Sequence, residues 1–71
     1  MSMTEKEIEY IMTQPGYEGR TRVDVWEDGE EYVSSWEGKE VRAGNPFGLD
    51  SKLSDIGAPL PRNLFLVEVP R

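Results

Sequence analysis

The 71-residue sequence contains no cysteine and no histidine. No cysteine means no disulfide framework and no thiolate nucleophile. Lacking both residues, the chain also has no Cys/His zinc site and no imidazole acid-base group. Long apolar runs are missing as well. None approaches the ~20 residues that cross a bilayer, so no membrane association is expected. The glycines are not spaced as a phosphate loop, and no Lys-Ser/Thr pair follows such a run. The acid-base groups that remain are carboxylates, lysines and tyrosines. A paired-carboxylate hydrolase needs a deep cleft that so short a chain hardly encloses. The expectation is therefore a non-enzymatic protein with no cofactor and no metal.

Basic residues are scarce. Eight Lys and Arg stand against 14 Asp and Glu, for a net charge of -6. The imbalance is uneven: residues 1–40 hold 11 acids and 4 bases, whereas residues 41–71 hold 3 acids and 4 bases. An acidic surface disfavours phosphate contacts, which need cations to release counterions, so nucleic acid is not the expected partner. A basic protein surface is, because opposite charge speeds encounter and sets orientation. Residues Thr4, Glu5, Lys6 and Glu7 are unlike a basic, apolar secretory leader, and the lack of cysteine fits a reducing compartment. A cytoplasmic location is expected.

What is present reads as one small α+β domain over residues 1–71. Residues 4–14 read as a helix. Thr4 and Glu7 form a capping box, and Ile8, Ile11 and Met12 make one apolar stripe. Pro15-Gly16 stops it. Residues 20–43 read as an antiparallel β-meander with tight turns at Asp28-Gly29 and Glu37-Gly38. The first turn places Val25 opposite Tyr32. The second places Ser34 opposite Val41 and Tyr32 opposite Ala43. Both turns put Val23, Val25, Tyr32, Trp36, Val41 and Ala43 on one face, expected to lie under the N-terminal helix. The other face carries Arg22, Asp24, Glu31, Ser35, Glu40 and Arg42, with Trp26 and Val33 among them. Residues 44–63 read as irregular, with a short helical turn at 51–56 capped by Asp50 and ended by Gly57. A final strand spans 64–69, with Phe65, Val67 and Val69 alternating against Leu64, Leu66 and Glu68, and Pro70 ends it. An SH3-like small barrel is the alternative architecture.

Two features stand out as candidate binding residues. The first is the acidic hairpin tip of Glu27, Asp28, Glu30 and Glu31, whose spacing does not match a calcium loop. The second is Trp26 with Val33, flanked by Asp24 and Glu31, an arrangement typical of an aromatic interface anchor with a charged rim. The competing reading of Trp26 is a second small core. The expected function is a small acidic protein-binding module, such as an inhibitor or accessory factor of phage or mobile-element type. Two alternatives come from other classes. One is a homo-oligomeric assembly protein, which would compensate for a thin core. The other is a small barrel binding a ligand or single-stranded nucleic acid, with Trp26 stacking on a base.

Overall fold

The computed structural model describes residues 2–68. The N-terminal helix α1 spans Glu5–Met12. Thr4 caps it: its hydroxyl accepts from the Glu7 amide at 3.3 Å, and the Glu7 carboxylate accepts from the Thr4 amide at 2.9 Å. This is the capping box read from the sequence, and it satisfies two amides that have no partner inside the helix.

Three strands follow, β1 (Thr21–Asp28), β2 (Glu31–Trp36) and β3 (Lys39–Ala43). The β2–β3 register is the expected one, with Trp36 opposite Lys39, Ser34 opposite Val41 and Tyr32 opposite Ala43. The β1–β2 register differs. Asp28 pairs with Glu31, and Val25 pairs with Ser34 rather than Tyr32. The turn is therefore Gly29-Glu30, not Asp28-Gly29. Gly29 takes φ 67 at the first central position, which is the type II′ arrangement. Moving a two-residue turn by one position slides the pairing by two residues. Side chains alternate with period two, so both faces keep their expected residues.

The chain then forms α2 (Pro46–Asp55) and β4 (Arg62–Leu66). The short helical turn expected at 51–56 is the second half of a ten-residue helix. Its cap is Asn45, whose side chain accepts from the Gly48 amide at 2.8 Å, and Pro46 occupies the first helical position. Asp50 lies inside the helix. At the other end Gly57 takes φ 91, with Gly57 N–H bonding Ser54 C=O and Ala58 N–H bonding Leu53 C=O. This pair of bonds closes the helix as a Schellman motif.

The sheet order is β3-β2-β1-β4, with β4 parallel to β1. The result is an open mixed sheet with two edges, not a closed barrel, in an α+β architecture. β4 begins two residues before the expected strand, and Val69 and Pro70 lie outside the described residues.

The two helices cover opposite faces. Leu49 and Leu53 of α2 pack on Val23, Val25 and Ala43, so the apolar face expected under the N-terminal helix lies under α2 instead. The reason is local. The Asn45 cap turns the chain straight back over β3, and an alanine and a glycine let the two elements approach: a Cβ on Gly48 would sit 3.4 Å from the Ala43 Cβ. α1 packs on the opposite face, where Ile8 meets Phe65 and Val67, with Ile11, Met12 and Trp26 around them. The amide of Met3 bonds the Leu66 carbonyl at 2.7 Å, tying the approach to α1 to the β4 strand.

Candidate functional site

The residues singled out from the sequence lie on or beside the β1–β2 hairpin. Glu27, Asp28, Glu30 and Glu31 are all exposed at its end. Asp28 and Glu31 face each other across the strands. Directly opposed like charges repel, so something must hold them. That residue is Arg42 on β3. Its Nη1 lies 2.7 Å from an Asp28 oxygen and 3.7 Å from Glu31, and its Nε donates to Glu40 at 3.1 Å. The bonds to Asp28 and Glu40 raise the pKa of the guanidinium above its ordinary value. β2 lies between β3 and β1, so the Arg42 stem must cross β2 to reach Asp28.

That crossing explains Val33. It sits on β2 between its cross-strand neighbours Trp26 and Arg42. Its exposure is 0%. Of the Trp26/Val33 pair, only Trp26 thus has accessible surface, and Val33 lies beside it on the neighbouring strand. Trp26 itself is half-buried. It packs at the margin of the cluster formed by Ile8, Phe65 and Val67 while part of its surface remains exposed.

Asp24 lies further along β1, on the same face. Arg22 Nε donates to Asp24 at 2.9 Å, and the same guanidinium makes a two-pronged ion pair with Glu5 of α1. These two carboxylates, Glu5 first, raise the Arg22 pKa. The pair joins α1 to the sheet, and strand alternation alone could have found its Arg22–Asp24 half.

β1–β2 pairing ends at Val25 and Ser34. The buried Ser34 hydroxyl donates to the Asp24 carbonyl at 2.7 Å. Beyond it a cleft of about 200 Å³ opens, lined by Arg22, Val23, Asp24, Trp26, Ser35 and Trp36. The sequence reading missed this cleft, because a ladder that stops early leaves no composition signal. It also missed a second feature. Phe47, at the start of α2, is 85% exposed. It follows Pro46, which with Val25, Tyr32, Leu64 and Leu66 lines a shallow apolar groove of about 190 Å³.

Among the described residues, no group of three or more carboxylates is arranged to hold a metal ion. No helix among them is long and apolar enough to cross a membrane. In comparisons with known proteins, no family model, no curated protein and no solved structure matches this chain.

Proposed function

We propose that this chain is a small acidic protein-binding module that docks on a basic protein surface through the end of the β1–β2 hairpin. The observation that carries this reading is the arrangement of carboxylates there. Asp28, Glu31 and Glu40 converge on one cation, Arg42, which holds these three in place, and Glu27 and Glu30 are exposed beside them on the same hairpin. Pre-positioned charges lose less freedom on binding than mobile ones, so they contribute more to affinity and orientation. In its specific form, as an inhibitor or accessory factor, the module would present these carboxylates where a basic surface otherwise receives phosphates.

The test compares two double reversals of equal charge, using deca-lysine peptide as the probe. Glu27→Lys with Glu30→Lys alters the hairpin end. Glu9→Lys with Glu18→Lys alters exposed positions on α1 and the loop after it. The expected result is a loss of at least about tenfold in affinity, with a flatter salt dependence, for the hairpin pair alone. Equal losses for the two pairs would reduce the effect to net charge and overturn the reading.

A second reading, self-assembly, is favoured by one observation, the exposed Phe47 beside the apolar groove. Large exposed aromatics next to apolar depressions mark contact surfaces. In this reading Phe47 of one copy would enter the groove of another.

A further inference from the structure

We infer that the docking surface continues from the hairpin end onto the part of the sheet that α2 leaves uncovered, where it seats an apolar side chain of the basic partner with a lysine or arginine beside it. The inference rests on the docking reading above and names the chemistry of the partner segment. Three observations carry it.

The first is an apolar groove at the margin of α2. Leu49 and Leu53 hold that helix over Val23, Val25 and Ala43. Leu64 and Leu66 on β4 remain half-buried at the edge of the same cluster. With Val25, Tyr32 and Pro46 they line the groove of about 190 Å³. Its walls come from β1, β2, β4 and the first residue of α2, so regular elements form it before a partner arrives. Sites formed in advance lose less entropy on binding. The groove is smaller than the ~300–1,000 Å³ of most small-molecule sites and suits one side chain.

The second is the depression that adjoins it. Leu66 also lines a hollow of about 190 Å³, together with Ser2, Glu27, Val67 and Glu68. At Leu66 the apolar groove therefore meets a wall with two exposed carboxylates. Among the described residues, no Lys or Arg lines either depression. Strand geometry agrees with this placement. Glu27 is two residues from Val25 on β1, which puts both on one face, and it pairs with Tyr32 across the hairpin. Glu27 is also one of the hairpin-end carboxylates, so the groove and the docking surface are continuous.

The third is the match that the two depressions set together. The groove rewards buried apolar surface, and the carboxylates attract a cation. A purely apolar ligand gains nothing from Glu27 and Glu68, and a purely basic one leaves the groove to water. A second copy of this chain would offer Phe47, which is 85% exposed. No Lys or Arg lies within four residues of Phe47 in the sequence, whereas Asp50 does, so that segment would bring the carboxylates no cation. An apolar residue flanked by lysine or arginine answers both walls. In an extended segment, residues two apart point to the same side at a separation of about 7 Å, the spacing that Val25 and Glu27 themselves have on β1.

The experiment compares two ten-residue probes, deca-lysine with leucine at its fifth position and deca-lysine with serine there. Each is titrated into isotope-labelled protein, and NMR follows the methyl signals of Val25, Leu64 and Leu66. The leucine probe is expected to bind at least about fivefold tighter than the serine probe, from partial burial of one leucine, and it alone should shift all three methyl signals. Glu68→Gln, outside the hairpin, should weaken the leucine probe about threefold, and Glu9→Gln, an equal change of charge on α1, should not. Equal affinity of the two probes, methyl signals that the leucine probe does not move, or equal effects of Glu68→Gln and Glu9→Gln would overturn the proposal. If the methyl signals move on dilution of the protein alone and Phe47→Ser removes that dependence, the occupant is a second copy and the proposal falls. The two readings fail separately. If the hairpin pair Glu27→Lys with Glu30→Lys selectively loses deca-lysine but leucine adds nothing, docking stands and the groove falls. If both charge-reversal pairs lose deca-lysine equally while the leucine probe keeps its advantage and its methyl shifts, the groove stands and hairpin docking falls.

Discussion

Glu37 adopts φ 49, the left-handed region in which a side chain is strained, and Gly38 follows at φ 82. Asparagine tolerates this conformation and is favoured before glycine in such turns. Glu37→Asn is expected to stabilise the protein by about 1 kcal/mol, read as a rise in the urea midpoint. A lower midpoint would show that the turn is not strained. Arg62 is the opposite case, a charge that the fold depends on. Its side chain is 1% exposed, and it donates to the Asp50 carboxylate, the Asp50 and Ala58 carbonyls and the Ser54 hydroxyl. One guanidinium thus ties β4 to α2 and to the loop after it. Arg62→Met removes the donor from all four acceptors, of which the Ala58 carbonyl is in a buried bond and the Asp50 carboxylate is half-exposed, and is expected to cost about 2 kcal/mol. A midpoint unchanged from the wild type would contradict that role. Nothing around Arg62 in the sequence distinguishes it from the other arginines, because its partners come from a helix and a loop that only the fold brings to it.

At the scale of elements, the two helices are held differently. α1 relies on its cap and on one fully buried side chain, Ile8. Removing the capping hydroxyl by Thr4→Ala is expected to cost about 1 kcal/mol. The same box makes a pH signature. Hydrogen bonds from Thr4 hold the Glu7 carboxyl below its ordinary value of 4.5. A depressed carboxyl contributes stability that is complete above the unfolded value and is lost as pH falls through the folded one. The stability difference between wild type and Glu7→Gln is therefore expected to be constant above about pH 5.5 and to shrink below pH 4.5. α2 instead depends on packing. Leu49 and Leu53 are fully buried, and Leu53→Ala is expected to cost about 3 kcal/mol, read by chemical denaturation. Both helix ends were signalled locally, by Thr4 with Glu7 and by Gly57. The start of α2 was misread because Asp50 looked like a cap, while the Asn45-Pro46 pair carries the real one.

For the whole molecule, the charge and the exposed apolar surface point to different behaviour, and sedimentation velocity separates them. Net charge of -6 opposes self-association at low salt, since like molecules repel. The docking reading expects a monomer at micromolar concentration, with no change in Phe47→Ser. A dimer that dissociates in Phe47→Ser would favour self-assembly. That substitution is expected to leave folding within about 0.5 kcal/mol of wild type, because Phe47 is exposed.

Local chemistry in the sequence determined the α1 cap, the stop at Gly57, the β2–β3 register and the sorting of the meander into an apolar and a charged face. The faces survived a wrong turn position because period-two alternation is unaffected by a slip of two residues. The acidic hairpin end was legible for the same reason: its charges are neighbours in the chain. Tertiary structure alone decided which helix covers which face, the parallel pairing of β4 with β1, the burial of Val33 between Trp26 and Arg42, and the cleft beyond the end of the β1–β2 pairing. Each of these depends on residues far apart in sequence meeting in space, and neither composition nor periodicity encodes which distant partner arrives.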